Sequence, residues 1–167
     1  LINIPPRCLK SIIVSVVAPA WAWLKWPHMT FICLSANPRV ADDNARKCLQ
    51  LIQSSWYRNT FTPDWVVNGD QDAVSNYALE RVNTHGGDRQ PLGWRKSRGW
   101  GSKIIGEGAD CIIADDPHDA KEIFSQTRRE NVCTEWKAIY NRVRDRRTSI
   151  RIGIMQRLHP EDWAAYV

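Results

Sequence analysis

The chain has 167 residues, of which 43% are hydrophobic and 25% are charged. This length and composition fit one globular domain with a real core, and they exclude disorder over most of the chain. The formal net charge of +5 mildly favours an acidic polymer as a partner, because Lys and Arg that lie near phosphates release condensed counterions.

The first predicted elements are a short strand at residues 1–4 and a helix from about residue 11 to 26. A signal peptide is an alternative for this region, because basic residues precede the apolar run 12–18 and small residues follow it. Ser15 and Pro19 interrupt the run, which is also too short to span a bilayer. The segment therefore fits a folded domain better than a leader.

A β-rich run at residues 30–35 predicts the second strand, and helical spacing of apolar residues predicts a helix near residues 41–54. Residues 56–108 are rich in Gly, Asn, Asp and Trp, which indicates short strands and loops.

Three elements are predicted in the last third of the chain. Residues 111–114 form a short apolar strand, residues 120–144 show a long helical pattern, and residues 150–155 read as another strand. A loop and the start of a helix at Pro160 follow. The alternation of apolar strands with helices predicts an α/β fold with a parallel sheet.

The first motif with residues suited to ligand binding is N-I-P-P-R-C-L-K-S at residues 3–11, between a strand and a helix. Backbone N–H groups at a helix start attract phosphate oxygens, Lys10 can reach the β and γ phosphates, and Ser11 can bind Mg²⁺. Lys-Ser matches the end of G-x-x-x-x-G-K-[ST], yet Ile4 and Leu9 occupy the two glycine positions. A surface Lys-Ser that begins an ordinary helix is the alternative.

The second motif, C-I-I-A-D-D-P-H at residues 111–118, places two carboxylates just beyond a buried strand. Ligands of open α/β sheets bind at that edge. Asp115 can hold Mg²⁺, and Asp116 can orient and deprotonate an attacking water, in a place more often filled by Glu. Alternatively, Asp116 or Asp119 caps the following helix.

The third motif is I-G-I-M-Q-R-L-H at residues 152–159, a strand that ends in Gln156 and Arg157 at the same predicted sheet edge. Gln156 can sense a γ phosphate and pass its loss to neighbouring segments, although a solvated strand end is an equally ordinary outcome. A Lys-Ser loop after the first strand and an Asp-Asp pair about a hundred residues later are what a phosphoryl-transfer site divided between two strand ends requires.

Two basic clusters suggest nucleic-acid contacts. In the first, Trp94 and Trp100 interleave with basic residues, as in surfaces that bind nucleic acids, although a charged loop with half-buried Trp is the ordinary outcome. Its basic residues are Arg95, Lys96, Arg98 and Lys103. The second cluster can face DNA phosphates or simply stabilise a helix end. It comprises Arg142, Arg144, Arg146, Arg147 and Arg151.

In this order the three motifs resemble the ATPase domain of the large terminase subunit of tailed bacteriophages, particularly the group with P-P-R-H-x-K-S, D-D-P-H and M-Q-R-L-H. The resemblance spans almost the whole chain. It also takes in A-W at 20–21, N-T-H-G-G-D-R at 83–89, G-E-G-A-D at 106–110, R-E at 129–130, E-W at 135–136 and R-L-H-P-E-D at 157–162.

The resemblance implies a RecA-like (ASCE P-loop) fold, a mostly parallel sheet flanked by helices, and it implies a role for each motif. Asp115 and Asp116 correspond to the Walker B segment with its catalytic carboxylate, and Gln156 with Arg157 to the coupling motif. Arg7 matches an arginine that contacts phosphate or relays the nucleotide state. The divergent Walker A loop corresponds to Pro6, Arg7, Cys8, Leu9, Lys10 and Ser11.

By the same resemblance, the chain is an ATP- and Mg²⁺-dependent motor that moves double-stranded DNA into a procapsid in the bacterial cytoplasm. The resemblance also implies that its partners are a small terminase subunit and a portal ring, and that it acts as a homo-oligomeric ring. We expect residues 1–167 to be a single ATPase domain, a fragment that lacks a C-terminal nuclease domain. A helicase-like ATPase or a non-catalytic DNA-binding remnant are alternatives.

Two features depart from the family pattern. Cys8 stands where the relatives have His, and residues 90–103 differ from their small-residue run. The Cys8 change is tolerable because that position contributes mainly backbone to the phosphate loop. For residues 90–103, in contrast, the resemblance does not predict the structure of the middle of the domain. The five cysteines are odd in number and scattered, which fits a reducing cytoplasm.

Overall fold

Seven strands make up the sheet of the computed structural model, which describes residues 1–68, 74–82, 87–102, 108–139 and 143–167. The strands are β1 (Ile2–Asn3), β2 (Phe31–Ser35), β3 (Val66–Val67), β4 (Asn76–Val82), β5 (Arg89–Gly99), β6 (Cys111–Asp115) and β7 (Ile150–Met155). They lie in the order β1-β7-β6-β2-β5-β4-β3.

The helices pack on both sides of this sheet. The first begins as a π-helical segment, Ile12–Val17, and continues without a break as an α-helix. The α-helices are α1 (Ala18–Lys25), α2 (Pro38–Gln53), α3 (Ser55–Phe61), α4 (Gln126–Ile139) and α5 (Trp163–Tyr166).

Neighbouring strands run parallel from β1 through β7, β6 and β2 to β5. Strands β4 and β3 extend the sheet in antiparallel fashion beyond β5. The predicted α/β class with a mostly parallel sheet is therefore confirmed. The carboxyl ends of five strands share one edge, where ligands of such sheets bind.

Two apolar layers cover the two faces of the sheet. One contains Trp23 and Trp65, and the other contains Trp136 and Trp163. Every residue of the central strands β2 and β6 is buried, as expected of parallel strands with helices on both sides. Gly153 in β7 allows Trp163 to approach the sheet, since a Cβ there would collide with the indole ring.

The segment that resembles a leader is part of this core. Pro19, Ala20, Ala22 and Trp23 are its buried residues in α1. Across the described residues, no helix combines the length and the apolar character that a membrane span needs. All five cysteines are free thiols.

Several predicted bounds need correction. Strand β7 has the predicted bounds, and β6 is one residue longer than predicted. Helix α2 begins earlier than predicted because Pro38 occupies its first turn and the Asn37 side chain accepts from Arg39 N at 3.0 Å. Helix α4 begins only at Gln126, after a turn in which Asp119 Oδ1 accepts from Lys121 N.

The middle of the chain differs most from its prediction. Helix α3 was not predicted, and residues 89–99 form one long strand rather than the predicted short strands and loops. The interpretation of this stretch as a nucleic-acid surface is wrong for Arg95, which is fully buried because it lies on an inner face of the sheet. Trp100 stacks on Trp136, and the Lys96 ammonium lies 4.8 Å from the Trp94 ring centroid.

Some predicted features lie outside the described residues. These are Lys103 and Arg142 of the basic clusters, residues 83–86 and 106–107 of the resembling segments, and residues 140–142 of the predicted long helix.

Candidate active site

The three sequence motifs meet at the carboxyl edge of the sheet. The loop at residues 5–11 follows β1, the acid pair ends β6, and Gln156 follows β7. Pairing of Asn3 with Met155 and of Asp115 with Ile154 aligns the ends of these three strands. Strand β7 lies between β1 and β6, so the loop faces the acids across one intervening strand.

Lys10 and Asp116 form an ion pair across this edge. Lys10 Nζ lies 3.0 Å from Asp116 Oδ2, and the Lys10 side chain is only 8% exposed. The other carboxylate oxygen of Asp116 accepts from Gln156 N at 3.2 Å. The loop, the β6 end and the β7 end are therefore joined through one carboxylate.

The backbone of Asp116 holds this carboxylate in place. Its φ of +43° lies in the left-handed region, which Asp tolerates better than most residues. Asp116 N donates to Ile154 O at 2.9 Å, and Asp116 O accepts from Ala36 N at 3.2 Å. The turn after β6 is thus anchored to the strands on both sides of it.

Asp115 is buried and takes three hydrogen bonds. Its Oδ1 accepts from Ser11 Oγ at 2.8 Å, and its Oδ2 accepts from Ser15 Oγ at 2.8 Å and from Asn44 Nδ2 at 3.1 Å. Burial raises the pKa of Asp115, against the lowering effect of the two serine hydroxyls. A buried carboxylate beside a serine hydroxyl is an oxygen donor set that suits Mg²⁺, whose charge would offset this burial.

The loop before the helix uses left-handed backbone at two positions without glycine. Arg7 has a φ of +65° and Leu9 a φ of +57°. Such turns direct successive N–H groups to one side and form concave sites for anions. Leu9 O accepts from Ile13 N at 2.9 Å, which begins the helix, whereas Ile4 N donates to Met155 O at 3.1 Å and prolongs the pairing of β1.

The side chains of this loop divide into two groups. Lys10 is buried and Ser11 is half-buried, and both contact the acid pair. The remaining side chains predicted to hold phosphate are exposed. They belong to Pro6, Arg7, Cys8 and Leu9.

Gln156 and Arg157 behave differently. Gln156 is half-buried and contacts Asp116 through its backbone amide. The Arg157 guanidinium turns back onto its own loop, where Nε donates to Asp162 Oδ2 at 3.1 Å. Burial opposes ionisation of Asp162, but backbone hydrogen bonds from Leu158 and His159, together with Arg157, hold its pKa below the ordinary value.

The alternative role of the acids as helix caps does not fit this structure. Helix α4 begins at Gln126, well after Asp116 and Asp119. Neither acid therefore caps it.

Sequence reasoning missed three polar residues behind the site: Ser15, Asn44 and Arg95. Ser15 and Asn44 bind Asp115, and Arg95 Nη1 donates to Ser15 O at 2.5 Å. Ser15 and Asn44 carried a usable signal, because each is a polar residue at a position where the helical pattern demands an apolar one. Arg95 carried no such signal.

Comparison with known proteins shows the fold. No family model matches the chain, and no curated protein matches it in sequence. The structure is similar to the large terminase ATPase domain of Thermus phage P74-26, with a TM-score of 0.60 and 14% identity, and to a mutant of that domain, with 0.61 and 15%.

Each match covers 94% of this chain and 59% of the solved chain, so this chain spans about three fifths of that length. Such identity shows the architecture alone, and the predicted RecA-like fold is confirmed.

Proposed function

We propose that this chain is the ATP-hydrolysing motor domain of a phage terminase large subunit and drives double-stranded DNA into a procapsid. One observation carries the proposal: Lys10 lies against Asp116, and Ser11 lies against Asp115, at one sheet edge. The fold similarity to a terminase ATPase domain supports it.

The residues fit a magnesium nucleotide. The backbone of Pro6 to Ser11 surrounds the phosphates, and Lys10 binds the β and γ phosphates. Ser11 and Asp115 would hold Mg²⁺, which would neutralise charge on the phosphate oxygens. Arg7, exposed on the loop, contacts phosphate or relays the nucleotide state.

Hydrolysis and movement are assigned to the ends of β6 and β7 at this edge. Asp116 orients and deprotonates the attacking water. Gln156 responds to loss of the γ phosphate, because its amide binds the Asp116 carboxylate and its own segment continues β7. Arg157 belongs to the same coupling segment.

The partners follow from this assignment. They are double-stranded DNA, a small terminase subunit and a portal ring, in the cytoplasm of a bacterial host. Several copies of the motor form a ring, and nuclease activity resides in a different domain.

Nucleotide binding and turnover, measured separately with and without double-stranded DNA, test the proposal. Binding and turnover are measured separately because a neighbouring subunit can complete such a site, so that an isolated chain can bind a nucleotide and still hydrolyse it poorly. We expect Lys10→Ala to weaken binding of ATP with Mg²⁺, and Asp116→Asn to keep binding while turnover falls roughly 10²- to 10⁴-fold. Lys25→Ala, at the exposed end of α1, is the matched control and should behave as the wild type.

The outcomes separate the candidate functions. A folded wild-type chain that binds no magnesium nucleotide contradicts the proposal. Stimulation by single-stranded but not double-stranded DNA favours a helicase-like ATPase. DNA binding without turnover in any assembly favours a non-catalytic remnant.

A further inference from the structure

Arg95 is a fully buried cation behind the phosphate loop. It lies in β5, and its side chain is 0% exposed. Its neighbours Cys33 and Tyr77 are neutral near pH 7, because burial raises the pKa of Cys33 to about 11 and raises that of Tyr77 well above its ordinary value. Within the described residues no carboxylate pairs with Arg95. Burial of a guanidinium without an anion is unfavourable.

Arg95 donates hydrogen bonds to the first helix and to its own strand. Arg95 Nη1 donates to Ser15 O at 2.5 Å, and Nε donates to Ser97 Oγ at 3.2 Å. Ser15 lies in the π-helical segment, where Ala18 N donates to Ile13 O, five residues back. Single π turns often occur where a side chain enters the helical hydrogen-bond pattern, and they are frequent at functional sites.

Ser15 connects this cation with the candidate metal ligand. Its carbonyl accepts from Arg95, and its hydroxyl donates to Asp115 Oδ2 at 2.8 Å. Asp115 binds Ser11 through its other oxygen. One buried residue therefore joins Arg95 to the carboxylate assigned to Mg²⁺.

We propose that Arg95 is a positioning residue that fixes Ser15 and, through its hydroxyl, orients Asp115 to bind a divalent cation. The inference rests on the proposed function, because it assigns the cation to the nucleotide site. Within the described residues Arg95 makes no hydrogen bond to Ser11 or Asp115, so its effect on Asp115 runs through Ser15.

The concentration of Mg²⁺ that gives half-maximal ATP turnover is the main readout. In Arg95→Met, we expect this concentration to rise about tenfold, as for other residues that orient metal ligands. Turnover at saturating Mg²⁺ should change much less, because the ligands themselves remain. Arg95→Lys should restore part of the Mg²⁺ affinity, since an ammonium can still donate to Ser15 O.

Two further variants make the test specific. Ser15→Ala should raise the Mg²⁺ requirement to a similar degree, and the double variant should be no worse than the more affected single variant, because both residues act in one chain of contacts. Lys96→Met removes a charge from the other face of β5 and should leave the Mg²⁺ requirement unchanged. An unchanged requirement in Arg95→Met, or an equal rise in Lys96→Met, overturns the inference.

A second readout does not depend on hydrolysis. Amide hydrogen exchange should become faster at residues 12–17 in Arg95→Met than in the wild type, while exchange in the centre of the sheet stays unchanged. Exchange that rises uniformly, or not at all, overturns the inference. If the folded wild type binds no magnesium nucleotide, the proposed function fails, and selective exchange still supports the link from Arg95 to Ser15. If Arg95→Met does not fold, Arg95→Lys and Ser15→Ala give the same comparisons.

Discussion

Leu9 stands where nucleotide-binding loops usually have glycine, and it adopts the backbone conformation that glycine adopts freely. Its φ is +57° and its side chain is 64% exposed. A left-handed conformation costs a residue with a Cβ roughly 1–2 kcal/mol. Leucine at this position therefore strains the loop without any gain from burial. The loop thus adopts a backbone conformation that glycine would adopt freely, at a cost in backbone strain, because its sequence has Leu9 at this position.

We expect Leu9→Gly to raise the free energy of unfolding slightly, by about 0.5 kcal/mol, because relief of strain exceeds the greater entropy of unfolded glycine. Leu9→Val, with a branched Cβ, should instead lower it by about 1 kcal/mol. Urea unfolding of the three proteins measures the difference. Equal stability of the Gly and Val variants would show that this backbone conformation is not the one in solution.

Asp115 illustrates a cost of a different kind. Its folded pKa is raised, so the folded state holds the proton more tightly than the unfolded state does. The ionised group therefore weakens the fold as the pH rises above the ordinary carboxylate pKa. A bound divalent cation would offset this cost, which links metal binding to stability at this residue.

At the level of elements, His118 joins the turn after β6 to the last helix. Its Nε2 accepts from Trp163 N, the first residue of α5, at 2.8 Å. The imidazole is 7% exposed. Burial lowers the pKa of His118, and Arg129 adds to that effect while Asp162 opposes it. The neutral ring is therefore a structural acceptor.

This contact predicts a loss of stability in mild acid. Because the folded pKa lies below the ordinary value of 6.5, the unfolded state binds more protons as the pH falls through that value, and stability falls with it. We expect His118→Gln to cost about 1 kcal/mol at pH 7.5 and to flatten the decline towards pH 5, as measured by urea unfolding. His28→Gln, on an exposed loop, is the control. A decline that is as steep in His118→Gln would place its origin elsewhere.

The elements that the sequence predicts well are those with a continuous apolar run between polar residues. Strands β6 and β7 belong to this class. Strand β5 was not predicted as one long strand because Gly, Trp and Arg are mixed in it, and its alternation of buried and half-buried residues has meaning only once α2 covers one face. The turn before α4 was missed because Asp119 folds the chain back locally.

The candidate site shows the same division. Lys10, Ser11, Asp115 and Asp116 are recognisable from motifs, and the structure brings them together. Arg95 binds a carbonyl that lies 80 residues away in sequence. No local pattern encodes such a contact, because it depends on how two distant elements pack.

For the whole molecule, the important division is between the two edges of the sheet. The candidate site lies at the carboxyl edge, whereas the described residues of the second basic cluster lie at the opposite edge, around the start of β7. There Arg144 N donates to Ala109 O, and Ile150 N donates to Asp110 O. Arg147 is exposed at this end. Any DNA bound there is separated from the candidate site by the length of the strands.

Arg147→Ala tests whether this edge contacts DNA. We expect weaker binding of double-stranded DNA, nearly independent of sequence, and a salt dependence whose slope falls by about one unit. Basal ATP turnover should not change, because the site is at the other edge. Arg46→Ala removes the same charge from α2, where Arg46 pairs with Asp43 at 2.6 Å, and serves as the control. Equal losses in both variants would indicate an effect of net charge alone.

The two halves of the candidate site are held with unequal firmness. The half that carries the lysine is tethered by a strand of only two residues with a neighbour on one side, whereas the acidic half ends a strand enclosed on both flanks. Warming should therefore detach the outer strand while the middle of the sheet persists. A sample can then keep the fluorescence of its buried tryptophans although the two halves of the candidate site no longer lie together.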